Sequence, residues 1–522
     1  MTNEIFDRAE SAPLTGSAAG VHLADSHGSS PILRPWDEEV DVVVVGFGGA
    51  GASAAIEATT QGASVMVVDR FMGGGATEMS GGIAYLGGGT ELQKRAGYND
   101  TPDEMFKYLS LETKDAVSEE TLRAFCDTSV ENFEWLRGIG IPLPPSGKVA
   151  KVSYPSHDCT LYFSGNELSP PYRDAARPAP RGHRALGKGL TGKVLFERLR
   201  RAAEKGGARI CCQTQAQRLI VDAEGTVTGV ELREVAPSGP WRPLHRVLFW
   251  CATRPGSSNP SAAAFFQKQI RRLEAAHGFN RYVRARGGVV LSAGGFIFNP
   301  EMVCHYAPDY ATCSVRLGTA GDTGQGIRLG RSVGGAVAEM DRCTAWRFIN
   351  PPSAWLRGAL LAPSGRRICN EELYGGAIGE HMAKGHGGRG FLVLDQTAMR
   401  ASRDQVFRDQ MDFFQRLFGF VNNFLNCKKA RTLDQLGRLC QMPAGALPRT
   451  IDEYNRGVEA GRDCCGKARE SLYPIGTPPF YAINLDFDNM RFPTPSMTLG
   501  GLVVDGMTAR MLRGDETPIG VL

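Results

Sequence analysis

The stretch VDVVVVGFGGAGASAAIEATTQGASVMVVDR, residues 40–70, decides the fold. Its first part is a run of valines that ends at Val45, which is typical of a parallel strand buried on both faces. An alanine-rich segment then predicts a helix that reaches about Thr60, and Ser64–Val68 predicts a second strand that leads to Asp69. Strand, helix and strand in this order predict an α/β fold of the Rossmann type.

Glycines lie between the first strand and the helix with the spacing Gly-x-Gly-x-x-Gly. Gly46 permits a tight turn, Gly48 lets backbone N–H groups approach a pyrophosphate, and Gly51 lets the helix pack closely on the strand. The N-terminus of the helix adds a partial positive charge that favours phosphate. Asp69 is placed to accept hydrogen bonds from ribose hydroxyls. The segment therefore predicts dinucleotide binding, and the acid favours FAD or NAD over NADP.

A second glycine-rich loop, GGGATEMSGGIAYLGGG at residues 73–89, follows the acidic strand. An NAD-binding domain normally continues into its next helix here, whereas a flavin nucleotide needs more hydrogen-bond donors along its length. Thr77 and Ser80 would supply such donors, which favours FAD. Further on, residues 214–232 predict a strand–turn–strand, and GGVVLSAGGFIFN at residues 287–299 predicts a buried strand that returns to the same sheet.

The composition describes an ordinary globular protein that is large enough for two domains, with 522 residues, 42% hydrophobic and 22% charged. The net charge of +4 is too small for this length to indicate nucleic-acid binding. Thirteen cysteines without a Cys-x-x-Cys motif predict reduced thiols in a cytoplasmic protein and no metal site. No apolar run approaches the ~20 residues of a spanning helix. Residues 1–38 predict a flexible leader without a secretory signal.

From residue 40 onwards the chain resembles the FAD-dependent oxidoreductase 2 family, which contains fumarate reductase flavoproteins and 3-ketosteroid dehydrogenases, and it is most similar to the dehydrogenase branch. Besides the two glycine loops, the matching pieces include GTAGDTGQGI at 318–327, GRRICNEELYGG at 365–376 and TLGGLVVD at 498–505. One departure is Gln325, where the family usually has Asp. The resemblance implies FAD, bound non-covalently because the early glycine loop contains no histidine. The residues expected to bind FAD are Gly46, Gly48, Gly49, Gly51, Asp69, Arg70, Thr77, Ser80, Gly81, Gly82, Ala216, Ala293, Gly294, Gly295, Gly500 and Gly501.

The resemblance also implies an interleaved architecture, a Rossmann-like FAD-binding domain of the GR2 type with an inserted α+β substrate domain. The FAD-binding domain is expected over residues 39–345, the substrate domain over 346–480, and an incomplete return to the first domain over 481–522. A long basic and aromatic insert is expected at about residues 236–286. We interpret the insert as a solvated or partner-binding helix, with attachment to a membrane surface as the alternative.

The family's chemistry implies a candidate catalytic residue. Forming a carbon–carbon double bond beside a ketone needs a base for the α-proton, donors for the developing enolate and a flavin for the β-hydride. Ketosteroid dehydrogenases carry a tyrosine base in the region of Tyr374, so Tyr374 is the candidate; the alternative is an aromatic side chain that lines the domain interface. Tyr172, Arg181 and His183 are interpreted as structural.

The expected partners are a steroid-like ketone and an electron acceptor that the sequence does not identify. Fumarate reductases of the family have an arginine shortly after the Asn-Glu pair, where this chain has Tyr374. Reduction of unsaturated acids is therefore the weaker enzymatic alternative.

The chain finishes with PIGVL at residues 518–522, where family members continue into a further strand, a glycine-rich turn and a last helix. The resemblance therefore predicts a truncated member with an intact nucleotide half and an incomplete catalytic half. The missing segment would carry a second catalytic tyrosine and a donor to the substrate carbonyl, and its loss would leave an open sheet edge. A flavin-binding protein without turnover is the third interpretation.

Overall fold

The computed structural model describes residues 35–145, 149–408, 411 and 413–520. The predicted leader, residues 1–38, lies outside the described residues as far as residue 34. Among the described residues, no helix is long and apolar enough to cross a bilayer. The same residues contain no group of His, Cys, Asp and Glu side chains that could hold a metal ion. All thirteen cysteines are free thiols.

Strands and helices alternate at the start of the described chain. The strands are β1 (Glu38–Val45), β2 (Val65–Asp69), β3 (Ile83–Tyr85), β4 (Leu161–Tyr162), β5 (Gly182–Arg184), β6 (Arg209–Cys212), β7 (Thr214–Val221), β8 (Val227–Val235), β9 (Gly278–Leu291), β10 (Val315–Arg316), β11 (Val337–Ala338), β12 (Cys343–Ala345), β13 (Ala359–Leu361), β14 (Phe391–Leu394), β15 (Cys427–Ala430), β16 (Phe480–Asn484), β17 (Pro495–Thr498) and β18 (Gly501–Leu502). The helices are α1 (Gly49–Thr60), α2 (Gly75–Met79), α3 (Glu91–Arg95), α4 (Pro102–Thr113), α5 (Glu119–Asp127), α6 (Ser129–Gly138), α7 (Tyr172–Ala175), α8 (Gly192–Lys205), α9 (Trp241–Thr253), α10 (Pro260–His277), α11 (Pro300–Tyr306), α12 (Gln325–Ser332), α13 (Gly375–His386), α14 (Gln396–Arg408), α15 (Phe413–Phe424), α16 (Leu433–Leu439) and α17 (Ala446–Glu459).

A six-stranded sheet with the order β6-β2-β1-β9-β8-β7 organises the first half of the chain. β6, β2, β1 and β9 run parallel, while β8 and β7 are joined to them in antiparallel fashion. Val44 of β1 packs against α1 and α8 on one face, and Val43 packs against the core on the other face. Both are fully buried, which explains the valine run in the sequence. The predicted α/β fold of the Rossmann type is confirmed.

The strand that the sequence predicts within residues 287–299 corresponds to β9, which begins and ends earlier in the chain than predicted. It spans Gly278–Leu291, so residues 278–286 of the expected insert belong to the sheet, and residues 292–299 do not. Its first half pairs with β8. The apolar run in the sequence indicates only the second half of β9. The first half alternates arginines with buried residues such as Val283, so it contains no apolar run. The insert is therefore a hairpin of α9 and α10, residues 241–277, which we call the helical hairpin.

A second, antiparallel sheet has the order β13-β14-β16-β15. Its two faces pack into separate apolar cores, one containing Leu360 and Ile483 and the other containing Leu361 and Ala482. β16 runs to Asn484, so this sheet extends past the expected end of the substrate domain at residue 480. The limits of the two domains otherwise stay a prediction.

The end of the described chain returns to the six-stranded sheet. β18 pairs with β11, and β17 pairs with β10 and β12, in two small sheets that are separate from the six-stranded one, and the residues after them contact the six-stranded sheet itself. Ile519 is fully buried in the same core as Val227, and the carbonyl oxygen of Gly520 accepts a hydrogen bond from the N–H of Val227 at 3.1 Å. The chain is therefore packed on the sheet as far as Gly520. The expected open sheet edge stays a prediction.

Candidate functional site

A cleft of about 240 Å³ lies where β1, β2 and β9 end and α1 begins. In open parallel sheets, ligands bind in the crevice outside the carboxyl ends of the strands. The cleft continues into a groove of about 890 Å³ that shares Arg70, Gln215, Thr323 and Gln325 with it. The structure thus gathers segments far apart in the chain around one cavity. The predicted residues that line the cleft are Gly46, Gly48, Gly49, Asp69, Arg70, Thr77, Ala216, Ala293 and Gly294.

The three glycines of the first loop lack a side chain for different reasons. A Cβ on Gly46 would lie 2.5 Å from the carbonyl oxygen of Ser292, and its φ of +100° favours glycine. A Cβ on Gly51 would lie 2.0 Å from the carbonyl oxygen of Gly46. A Cβ on Gly48, in contrast, would meet nothing closer than 3.9 Å. Close packing therefore requires glycine at positions 46 and 51, whereas glycine at position 48 leaves room for a ligand in the cleft.

Backbone donors at the start of α1 are available to such a ligand. The N–H of Gly49 donates to the hydroxyl of Thr77 at 2.9 Å, which holds the second glycine loop against the first. Gly48, the residue before the helix, has no side chain to cap it. Within the described chain, the N–H groups of Ala50 and Gly51 have no acceptor. These free donors and the helix dipole make the start of α1 suitable for an anion.

Asp69 at the end of β2 is held by backbone donors from both loops. Its Oδ2 accepts a hydrogen bond from the N–H of Phe47 at 2.9 Å. Its Oδ1 accepts from the N–H of Phe71 at 2.7 Å and from that of Gly73 at 3.2 Å. A carboxylate offers about four lone-pair positions, so one acceptor position remains for a ribose hydroxyl.

Arg70 is expected from the sequence to bind the cofactor, but its guanidinium is engaged by the helical hairpin. Its Nε and Nη2 donate to the two carboxylate oxygens of Glu274 on α10, each at 2.8 Å. Nε2 of His245 on α9 lies 3.1 Å from the same carboxylate. Burial would raise the pKa of Glu274, but hydrogen bonds from His245 and Arg70 lower it below its usual range. Arg70 therefore reaches the cleft with its charge already paired.

Aromatic rings close the side of the cleft next to the helical hairpin. The ring of Phe249 stacks on that of Phe71 with 4.1 Å between the centroids, and His245 stacks on Phe71 at 5.4 Å. Phe71 and Phe249 both line the cleft. The hairpin thus forms one wall of the site, through its aromatic side chain and through Glu274.

A buried carboxyl group, Asp322, also lines the cleft. Its Oδ2 accepts a hydrogen bond from the N–H of Thr319 at 2.7 Å. Gly294 and Gly318 make room for it, since a Cβ on either would lie 2.3 or 2.5 Å from a carboxylate oxygen. Burial raises the pKa of Asp322 to about 6, and the charge of Asp69 contributes to the rise. Asp322 therefore gains or loses its proton within the pH range in which proteins are usually studied.

Asp322→Asn is expected to remove a pH-dependent loss of stability. The pKa of the folded protein, about 6, lies above the ordinary value of 3.8, so folding favours the protonated carboxyl. The resulting stabilisation is fully present below about pH 4 and is lost as the pH rises through about 6. Between these values, the free energy of unfolding of the wild type should fall by about 2 kcal/mol more than that of the variant.

Urea unfolding at a series of pH values measures this difference. Asp505→Asn is the matched control, because hydrogen bonds with Thr508 lower the pKa of the partly exposed Asp505, so that its pH effect has the opposite sign. Parallel curves for the wild type and Asp322→Asn would contradict the prediction.

A second polar cluster surrounds Tyr374, which directly precedes α13. The N–H of Tyr374 donates to Oδ1 of Asn166 at 2.7 Å, and Nδ2 of Asn166 donates to Glu112 at 2.8 Å. The hydroxyl of Tyr108 donates to the same carboxylate oxygen of Glu112. Burial raises the pKa of Tyr374, and the charges of Glu112 and Glu380 raise it further. The phenol is therefore neutral near pH 7 in the free protein.

Arg181 and His183, both on β5, lie in the protein interior. Arg181 is fully buried and its Nη2 lies 2.7 Å from the carboxylate of Asp100. His183 contacts the hydroxyl of Thr90 at 2.9 Å, and burial lowers the pKa of His183 to about 4. The ring of Tyr172 packs among the aromatic side chains near Tyr374. Interior ion pairs and hydrogen bonds of this kind agree with the structural interpretation of Arg181 and His183.

Comparison with known proteins decides the family. The family description "FAD binding domain" matches residues 41–520. The chain belongs to this family. It is 33% identical over 491 residues to the 3-oxo-5-alpha-steroid 4-dehydrogenase of Comamonas testosteroni, with 92% of this chain and 91% of the relative covered. The chain is thus an FAD-dependent oxidoreductase, as its motifs predict.

Comparison with solved structures supports the same family for this FAD-binding protein. The 3-ketosteroid-Δ4-(5α)-dehydrogenase of Rhodococcus jostii RHA1, solved with 4-androstene-3,17-dione, superposes with a TM-score of 0.75 at 30% identity, covering 95% of this chain and 91% of that one. A flavocytochrome c3 fumarate reductase shares the fold, with a TM-score of 0.57 at 19% identity, covering 93% of this chain and 72% of that one. The predicted FAD and the predicted family are confirmed.

The cleft fits the phosphate and ribose part of FAD. The free N–H groups at the start of α1 and the room at Gly48 suit a pyrophosphate. The remaining acceptor position of Asp69 suits a ribose hydroxyl. These residues, together with Thr77 and the segment around Ala293, would hold the cofactor at this end. The individual contacts with FAD stay a prediction.

Seven predicted FAD-binding residues lie outside the lining of the cleft. Gly295 approaches Thr498 so closely that a Cβ would lie 2.2 Å from its hydroxyl, and a Cβ on Gly500 would lie 2.0 Å from the carbonyl oxygen of Glu339. Such glycines permit one chain segment to pack on another. Whether they also contact the flavin end of FAD stays a prediction. The seven are Gly51, Ser80, Gly81, Gly82, Gly295, Gly500 and Gly501.

Several residues of the site are absent from the sequence-based set. Glu274 and Phe249 of the helical hairpin carry no motif, because only the folded chain brings them to the end of β2. Asn166 likewise meets Tyr374 across 208 positions of sequence. The sequence does contain an indication of Asp322, because this residue lies inside the family segment GTAGDTGQGI. A buried acid in a glycine-rich loop is a reasonable candidate for a titrating group.

Proposed function

We propose that this FAD-dependent oxidoreductase dehydrogenates a 3-ketosteroid-like substrate and forms a Δ1 or Δ4 double bond. The observation that carries the proposal is the 33% identity to the Comamonas testosteroni 3-oxo-5-alpha-steroid 4-dehydrogenase across 92% of this chain. In such a reaction the α-proton passes to a base, and the β-hydrogen leaves with its electron pair to the cofactor, which supplies the hydride acceptor when bound. The two electrons that remain from the α-C–H bond form the new double bond.

Tyr374 is the proposed base for the α-proton. The hydrogen bond from its N–H to Asn166 fixes the start of α13, and its ring packs on Gly376, where a Cβ would lie 2.6 Å from the ring. Since burial raises the pKa of Tyr374, the fraction of phenolate is small near pH 7. Proton removal by this group should therefore become faster as the pH rises.

We also propose non-covalent FAD and a cytoplasmic location. The first glycine loop offers no histidine for a covalent link. The thirteen free thiols suit a reducing compartment. The division into an FAD-binding and a substrate domain belongs to the same proposal, with the second sheet and its helices as the core of the substrate domain.

Anaerobic mixing of the FAD-loaded protein with a 3-oxo-5α-steroid tests the proposed reaction. We expect bleaching of the visible flavin absorbance in a stopped-flow instrument and one equivalent of a double bond per flavin in the extracted steroid. The control is the photoreduced protein mixed with fumarate, which should stay reduced. Reoxidation by fumarate without bleaching by the steroid would instead assign the reduction of unsaturated acids, and neither change would indicate flavin binding without turnover.

A further inference from the structure

The helical hairpin has two faces with different chemistry. Its inner face contacts the end of β2 through Glu274, His245 and Phe249. Where α9 begins and α10 ends, the rings of Trp241 and His277 stack with 3.4 Å between their centroids. The hairpin is therefore firmly packed on the FAD site, and these contacts hold its outer face in a fixed position.

The outer face exposes large apolar side chains. On α9, Leu244, Val247 and Trp250 are 42%, 57% and 59% exposed, and their spacing of three residues places them on one side of the helix. On α10, Phe265 is 57% exposed. The short connection over residues 254–259 joins the end of α9 to the start of α10, so Trp250 and Phe265 lie at the same end of the hairpin.

Unpaired positive charges accompany these apolar side chains. The helical hairpin contains six Lys and Arg but a single acidic residue, Glu274, although the whole chain has a net charge of only +4. Glu274 is buried and already paired with Arg70. In the part of the chain that the structure describes, the exposed basic residues of the hairpin form no ion pair. They are Arg246, Arg254, Lys268, Arg271 and Arg272, of which Arg271 lines the groove of about 890 Å³ beside the FAD cleft and not the outer face.

We propose that this outer face binds the surface of an anionic lipid bilayer, with the apolar side chains inserted among the headgroups and the basic side chains on lipid phosphates. A helix that combines Trp, Leu or Phe with Arg and Lys has the composition of a helix lying in the membrane interface. Each basic residue near an anionic leaflet adds to the affinity. The inference does not depend on the identity of the substrate.

Other occupants fit the outer face less well. A second copy of the chain would bring two basic faces together, and like charges across an interface oppose association. Single-stranded nucleic acid binds through phosphate contacts and aromatic stacking, which would leave aliphatic Leu244 and Val247 without a role. An anionic bilayer uses both the aliphatic side chains and the positive charges.

Flotation of the full, FAD-loaded chain with lipid vesicles tests the proposal. We expect binding to vesicles of phosphatidylcholine mixed with phosphatidylglycerol, weaker binding at high salt, and little binding to phosphatidylcholine alone. The double variant Val247→Ser with Trp250→Ser should lower the partition coefficient at least about tenfold. The pair Arg246→Gln with Arg254→Gln should lower it by a similar factor. An unchanged flavin absorption spectrum verifies that each variant is folded and loaded.

Matched controls lie outside the hairpin. Phe407→Ser removes a side chain that is 61% exposed on α14, and Lys193→Gln with Arg449→Gln removes two exposed charges elsewhere. These variants should float like the wild type. The proposal is overturned by absent vesicle binding, by loss of binding in the controls instead, or by a dimer that the Trp250 variant dissociates. Tighter binding to a single-stranded RNA oligomer than to the vesicles would overturn it as well.

Discussion

Gly48→Val is expected to yield a folded protein that has lost its FAD. The affinity for FAD should fall at least about 100-fold, because a side chain at this position blocks the approach of the pyrophosphate. Two or more hydrogen bonds from backbone N–H groups to a charged phosphate, each contributing about 1.5–3 kcal/mol, then cannot form. The free energy of unfolding of the apoprotein should stay within about 1 kcal/mol of the wild type. Calorimetric titration of the apoprotein with FAD and urea unfolding measure the two quantities.

The neighbouring glycines supply the contrast that makes this result informative. Valine fits at position 48 because a Cβ there meets nothing closer than 3.9 Å, whereas a Cβ at Gly51 would lie 2.0 Å from a carbonyl oxygen. Gly51→Val should therefore fail to fold. Gly476→Val is the matched control, since a Cβ there has no neighbour within 4 Å and the residue lies outside the cleft. Full flavin content in Gly48→Val would remove the cleft from the FAD site.

The nucleotide end of this protein was predictable because its determinants are local. The valine run, the glycine spacing and the acid at the end of the second strand lie within 31 consecutive residues, and the structure places β1, α1 and β2 over the same segments. The close approach of Gly51 to the carbonyl oxygen of Gly46 and the positive φ of Gly46 are requirements that arise within this stretch. Local pattern and final fold agree here, as they do wherever short-range preferences suffice.

The wall of the cleft was not predictable, because its determinants are distant. Arg70 and Glu274 are 204 positions apart, and nothing near Arg70 in sequence indicates that a buried carboxylate will pair with it. The sequence alone therefore assigns this arginine to the cofactor. The sequence does not indicate the first half of β9 for a related reason, since its exposed arginines are compatible with an antiparallel strand only when β8 is already in place.

The surroundings of Tyr374 required the fold as well. A tyrosine after an Asn-Glu pair indicates a candidate base only through family resemblance, and the sequence does not show what sets its pKa. In the structure, burial and the charges of Glu112 and Glu380 raise the pKa of Tyr374, which is the wrong direction for a base that acts at pH 7. The proposed base must therefore act through the small fraction of phenolate that is present near pH 7. This requirement makes the pH dependence of the reaction diagnostic.

Tyr374→Phe is expected to lower the rate of flavin reduction by the steroid about 10²–10⁴-fold, the usual effect of removing a general base. FAD content and stability should be unchanged, because the ring that packs on Gly376 is retained and the phenolic oxygen has no hydrogen bond among the described residues. Tyr172→Phe is the matched control, since it removes the same atom from a neighbouring ring whose pKa burial raises to about 12. Stopped-flow reduction of each FAD-loaded variant by a 3-oxo-5α-steroid measures the effect.

The pH profile separates a base from an aromatic wall at position 374. Because the pKa of Tyr374 lies above its usual value of about 10, the phenolate fraction should grow about tenfold per pH unit between pH 7 and 9. The wild-type rate should rise with that slope, and Tyr374→Phe should lose it. A lowered rate with the slope preserved would mean that another group removes the proton and that Tyr374 only shapes the pocket. A flat wild-type profile, with Tyr172→Phe as impaired as Tyr374→Phe, would assign both rings to packing at the interface.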